Sequence, residues 1–232
     1  GPPDIRELIA QWGPSGAAGR HAEQAKPRQK SFSRLSCGGV PKALAEAKVM
    51  RVLKMELDSN TFNVIPVKDK WFLTHKHKVA SWFATHFGAE FVIVDGEKRF
   101  SCHVVTGSTI VSDERDFMVF QVECKQMQNY ANVVHKFAGE RFIAKFVQSG
   151  RDWDYYADFT VSGRAFGTVS FCACEKYLND GAFLFSKDML VYKAVTAPGD
   201  CGTPVMMHDR TLGEYVVAGI HVAGSQSKEM FG

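Results

Sequence analysis

From Val49 onward the chain consists of short runs of β-branched and aromatic residues, each closed by a few turn formers. VMRVLKMEL stops at Asp58-Ser59-Asn60, TFNVIPV stops at Lys68-Asp69-Lys70, and WFLTH follows, which predicts three strands in a meander. FVIVD and KRFSCHVV flank a turn with Asp95-Gly96, a hairpin signal, and DFMVFQVE supplies another strand. Strands resume at RFIAKFVQ, YADFTVSG, GTVSFCACEKYL, FLFSKDMLVYKAV, PVMMH and YVVAGIHVAG. A chain divided this finely buries its apolar faces in paired barrels or a sandwich. Helix content is predicted to be low, limited to a short helix over 42–48 (KALAEAK), entered through Pro41, and a helical turn over 81–87.

Ahead of these strands, residues 13–36 are rich in Gly, Ala, Ser, Lys and Arg and offer little to bury, so 1–38 reads as a flexible leader. Residues 126–140 are polar and irregular enough to connect an N-terminal barrel over 39–125 to a C-terminal barrel over 141–232. The sequence has no run of about 18 apolar residues and no basic-then-apolar leader, so neither a membrane span nor a signal peptide is predicted. A net charge of +3 falls short of the concentrated positive field of a dedicated nucleic-acid binder. Six cysteines in 232 residues are too sparse for a disulfide scaffold, and free thiols in a soluble intracellular protein are expected.

One segment carries recognisable chemistry, Ala197-Pro198-Gly199-Asp200-Cys201-Gly202-Thr203-Pro204. A cysteine between glycines, just before a strand, presents an exposed thiol, and glycine permits the tight turn that lets backbone N–H groups converge. Nucleophile and oxyanion hole then come from a single loop. The alternative is a glycine-rich turn around a buried thiol.

Downstream stands Gly219-Ile220-His221-Val222-Ala223-Gly224. Gly-x-Cys-Gly followed by Gly-x-His-x-x-Gly resembles the 3C and 3C-like cysteine proteases of picornaviruses and their relatives. The resemblance implies an all-β, chymotrypsin-like fold of two barrels with the active-site cleft between them. It further implies a cysteine endopeptidase that cuts a viral polyprotein in the cytoplasm of an infected cell, with host proteins as further substrates and no cofactor. In that family the motif histidine lines a pocket for the substrate glutamine with a threonine five residues before the nucleophile, here His221 and Thr196. Cleavage after Gln or Glu follows.

The resemblance also assigns the remaining roles. The family histidine stands just after an early apolar strand, behind a small or hydroxyl residue, which points to His75 as general base of the Cys201 nucleophile, with His77 as competitor. The orienting acid precedes the next apolar strand, where Asp116 stands, with Asp113 and Glu114 close enough to compete. The N–H groups of Gly199 and Cys201, with Asp200, would form the oxyanion hole, and Val222 to Gly224 would pair with the substrate as a neighbouring strand. His86, His103 and His135 lack this context.

Two features depart from the pattern. Thr203 stands where many members carry a second glycine, which predicts extra bulk on the leaving-group side of the cleft. Cys172-Ala-Cys174 has no following Cys-x-His, so two core thiols are expected and no metal site. Picornaviral 3C proteases also bind RNA through a basic interlobe segment, but the comparable Gln128–Lys136 is hardly basic. The rival readings are a non-catalytic module binding peptide or RNA, and a papain-like protease, whose nucleophile precedes its histidine, the reverse of the order here.

Overall fold

A computed structural model describes residues 50–231 apart from 114, 173–175, 180–182, 187–188, 210–212 and 225–228. The leader over 1–38, the helix expected over 42–48, Glu114 and Cys174 lie outside the described residues.

The first lobe carries β1 (Leu53–Leu57), β2 (Asn60–Lys68), β3 (Trp71–His75), helix α1 (Lys76–Thr85), β4 (Phe91–Asp95), β5 (Lys98–Val104), β6 (Ile110–Ser112) and β7 (Phe117–Glu123). Its strands run in the order β3-β2-β1-β4-β5-β7, and a β3–β7 ladder closes the sheet into a six-stranded barrel, with β6 added beside β7. Alternation drives β1, whose Leu53, Met55 and Leu57 face the barrel interior. β2 instead is buried continuously from Asn63 to Val67, because Val64 faces the barrel while Ile65 and Val67 pack against the other lobe.

After a connection with one 3₁₀ turn (Val134–Lys136), helix α2 (Glu140–Ser149) leads into β8 (Trp153–Phe159), β9 (Gly163–Cys172), β10 (Lys176–Asn179), β11 (Phe183–Ser186), β12 (Met189–Lys193), β13 (Pro204–Asp209), β14 (Glu214–Ile220), β15 (Ala223–Gly224) and β16 (Glu229–Phe231). β10 and β11 form a separate hairpin, and the rest run in the order β14-β13-β8-β9-β12-β16-β15. The two ends of that order, β14 and β15, are consecutive in the chain, separated only by His221 and Val222. The two ends of the sheet are therefore joined through that short link.

The strand expected at RFIAKFVQ is the helix α2. Phe142, Phe146 and Val147 are spaced for one helical face and are buried, with the Phe142 and Phe146 rings 5.4 and 5.2 Å from that of Trp153. Strand alternation would have turned Phe146 and Val147 to opposite faces. The helix stops at Gly150, at φ +64°, a conformation glycine adopts without penalty.

The two lobes share a core. Ile65, Leu73, Phe117 and Val119 of the first barrel form one buried cluster with Tyr156, Met206, Val217 and Ile220 of the second. That apolar contact holds the lobes in register beside the cleft. Among the described residues no helix is long and apolar enough to cross a membrane.

Candidate active site

The loop before β13 is held at almost every peptide. Asp200 is fully buried, and its carboxylate accepts hydrogen bonds from the backbone N–H groups of Ala197 (2.8 Å), Val161 (2.8 Å) and Ser162 (3.3 Å) and from the Ser162 hydroxyl (2.6 Å). Burial opposes its ionisation, but these donors outweigh burial and hold the carboxyl below its ordinary range. The Asp200 N–H is itself donated to the Ala197 carbonyl at 3.1 Å. It is therefore already engaged within the loop, and the expected contribution of Asp200 to the oxyanion hole is corrected to one of support. The Asp200 carbonyl accepts from the Thr203 N–H at 3.2 Å, which sends the Cys201 N–H to the opposite side of that peptide plane. The expectation of an oxyanion hole in this loop then rests on Gly199 and Cys201.

Thr203 is also corrected. It is fully buried under the loop and does not line the cleft, so its bulk faces the core.

The base and the acid meet in a different pairing from the one expected. β3 ends at His75, which caps α1 with an extended backbone (φ −70°, ψ 148°) and is almost completely buried. Its Nδ1 is 3.5 Å from the neighbouring Thr74 hydroxyl, its ring packs 5.6 Å from that of Phe62, and its Nε2, like that of His77, is buried without a hydrogen-bond partner. Burial pushes its pKa well below the ordinary histidine value. Asp116, fully buried, instead brings Oδ2 to 2.5 Å from Nδ1 of His77, in the first turn of α1. The helix begins directly after His75, so His77 stands in its first turn beside the start of β7, where Asp116 lies. The pairing of His75 with Asp116 is thus replaced by that of His77 with Asp116.

Asp116 is fixed from both sides. It sits at φ +55°, tolerated by Asp better than by most residues, and its carbonyl accepts the Lys76 N–H at 2.9 Å. Burial raises its pKa, and the hydrogen bonds from His77 work against that rise. Asp113 is highly exposed and pairs with Lys76 at 2.8 Å, away from the histidines.

Phe62, His75 and His77 on one side and Thr196, Cys201 and His221 on the other line a cleft of about 630 Å³ between the lobes. The Cys201 thiol, partly exposed, donates to the Val222 carbonyl across 3.4 Å. Val222, Ala223 and Gly224 line the same cleft, and β15 ends the sheet, paired on one side to β16. The backbone of His221 exchanges two bonds with the nucleophile loop: its carbonyl accepts from Gly202 and its N–H donates to Thr203, both at 2.8 Å.

His221 is buried, and burial lowers its pKa to about 4, so its imidazole is neutral at ordinary pH. The Tyr192 hydroxyl lies 2.6 Å from its Nδ1. Burial holds the tyrosine proton on well above the usual range, so a neutral hydroxyl faces a neutral imidazole and the two share a single hydrogen bond. Tyr192 was missed in the sequence, as was Asn63, whose side-chain amide donates to the carbonyls of Gly199 (2.8 Å) and Cys201 (2.9 Å). His86, His103 and His135 are exposed, and no group of three or more His, Cys, Asp or Glu among the described residues is arranged to hold a metal ion.

No protein-family model and no curated protein matches the sequence. Among solved structures the fold is similar to that of the Rv3671c protease in its inactive form, at 14% identity and a TM-score of 0.53, covering 87% of this chain and 92% of that one. The Ser343Ala mutant of Rv3671c from M. tuberculosis H37Rv, also inactive, gives 15% identity and a TM-score of 0.51 over 87% and 89%. The 3C protein of HRV-C, solved with rupintrivir, gives 16% identity and a TM-score of 0.53 over 83% and 94%. The chain has the two-barrel fold of chymotrypsin-like proteases.

Proposed function

We propose that the protein is a cysteine endopeptidase that cuts peptide chains after glutamine, with a viral polyprotein as its natural substrate. The observation that carries the reading is the opening of the His77–Asp116 pair of one barrel and the Cys201 loop of the other onto a single cleft. This supports a base with its orienting acid on one side of the cleft and a nucleophile on the other, the groups that acyl transfer requires.

The substrate backbone lies along Val222–Gly224 as an added strand. Its amide N–H before the scissile bond competes for the Val222 carbonyl, the acceptor of the resting thiol, and frees Sγ. His77 takes the thiol proton, Asp116 holds the resulting imidazolium, and the thiolate attacks the carbonyl carbon. The N–H groups of Gly199 and Cys201 bind the oxyanion, a term worth about 3 kcal/mol per donor. His77 returns the proton to the leaving amine, and water, deprotonated by the same imidazole, releases the acyl group. In this reading the Tyr192 hydroxyl donates to Nδ1 of neutral His221, which puts the ring proton on Nε2 to donate to the glutamine amide oxygen, with Thr196 lining the same cleft. A neutral donor favours the uncharged Gln over Glu.

The test compares peptides bearing Gln, Glu, Asn or Lys before the scissile bond, using the intact protein and Cys201→Ala. Turnover of the Gln peptide that vanishes in the variant is expected. A folded protein that turns over none of them sinks the peptidase reading and leaves a binding module.

A further inference from the structure

We propose that Asn63, buttressed by Lys54, is a positioning residue of the first barrel that presets the oxyanion loop of the second. The inference rests on the peptidase reading above and concerns how its nucleophile loop is held.

Asn63 lies on β2 and is fully buried, so no water competes for its side chain. Its single NH₂ group donates to the two carbonyls that flank the nucleophile, Gly199 O at 2.8 Å and Cys201 O at 2.9 Å. The amide orientation is forced from behind. Lys54, its cross-strand partner on β1, brings Nζ to 2.5 Å from Oδ1, and an ammonium only donates, so the amide oxygen has to face it. A charged donor on Oδ1 also polarises the NH₂ group and strengthens both outgoing bonds.

The consequence is geometric. The Gly199–Asp200 plane is held by Asn63, by the Thr160 hydroxyl on the same carbonyl (3.2 Å) and by Asp200 N–H on Ala197. The Cys201–Gly202 plane is held by Asn63 and by Gly202 N–H on His221. Between them lies the plane whose N–H is that of Cys201. Asn63 reaches both neighbours of that plane at once, so loss of its donors loosens both while the other contacts stay. Its backbone joins the same unit: its carbonyl accepts the Thr74 hydroxyl at 2.7 Å, three residues before His77, and a Cβ on Gly202 would meet that carbonyl at 2.7 Å. One residue thus spans the strand that leads to the base and the loop that carries the sulfur.

Asn63→Asp keeps the shape and replaces donors with acceptors aimed at two carbonyls. The decisive comparison is between peptide turnover, which develops an oxyanion, and alkylation of Cys201 by iodoacetamide, which does not. For Asn63→Asp, kcat on the Gln peptide should fall about 10- to 100-fold, in line with loss of alignment at an oxyanion hole. KM and the alkylation rate should stay within about threefold, with the full complement of Cys201 still titrated. Lys54→Met, with Asn63 intact, should show the same split at about three- to tenfold, and it serves if Asn63→Asp does not fold. Unchanged kcat, or a kcat loss matched by equal losses in alkylation and titratable thiol, overturns the inference and leaves the peptidase reading standing. A wild-type protein that alkylates normally but cleaves no peptide overturns both.

Discussion

Tyr192→Phe removes one oxygen atom and tests how the cleft reads its substrate. The hydroxyl lies 2.6 Å from His221 Nδ1, and both residues are 2% exposed, so no solvent replaces the lost bond. An unsatisfied buried nitrogen costs about 1–3 kcal/mol, which corresponds to about 5- to 150-fold in an equilibrium constant. Part appears as stability, a lowering of Tm by about 2–4 °C per kcal/mol for a protein of this size. The rest appears in recognition. Without the tyrosine donor the imidazole proton is no longer confined to Nε2, and a proton on Nδ1 turns the cleft-facing nitrogen from donor to acceptor. kcat/KM for a Gln peptide should fall about 10- to 100-fold while that for the matched Glu peptide falls much less. Paired progress curves at neutral pH read the ratio, and differential scanning fluorimetry reads the stability. A Gln-to-Glu ratio unchanged within twofold, alongside a lowered Tm, would refute the reasoning and reduce Tyr192 to a packing residue.

Two further predictions concern the histidines. His77→Ala should lower kcat by about 10²- to 10⁴-fold, as loss of a general base does, whereas His75→Phe, which keeps a ring against Phe62, should cost less than tenfold; the reverse ranking would restore His75 as the base. His221 has a folded pKa of about 4 against 6.5 unperturbed, so the unfolded chain takes up the proton first as pH falls, and stability is lost between about pH 6.5 and 4. That window is worth about 3 kcal/mol from His221, with buried His75 adding in the same direction and the raised carboxyl of Asp116 opposing. Urea melts across the range check it, and a slope unchanged in His221→Asn would contradict it.

β1, β2, β4, β5 and β7 were readable because runs of β-branched and aromatic residues there are broken by short polar turns, whereas the three-residue β6 has no such run. α2 was misread because its apolar pairs, Phe142-Ile143 and Phe146-Val147, look like a strand to any scan that weighs β-branched and aromatic content above period. β16, three residues long, carries no pattern of its own. The nucleophile loop was legible because glycine and cysteine impose a local conformation. The choice between His75 and His77 was not, since it depends on where β3 gives way to helix beside Asp116 at the start of the neighbouring strand β7. Asn63 and Tyr192 act across 138 and 29 residues of sequence, and one asparagine in a strand or one tyrosine in an apolar run leaves no trace of such a partnership.

The two end strands of the second sheet, β14 and β15, run on from one another through His221 and Val222, and the residue at that seam is His221. Its backbone is stitched to Gly202 and Thr203, so the imidazole that would select the substrate and the sulfur that would attack it ride on one rigid body. Preference at the cut cannot drift by sliding this strand, because any slide would break the His221 bonds to Gly202 and Thr203 and displace the nucleophile with them. A change of taste in such a fold has to come from what surrounds the imidazole, through residues such as Tyr192 and Thr196, while the seam itself stays in place.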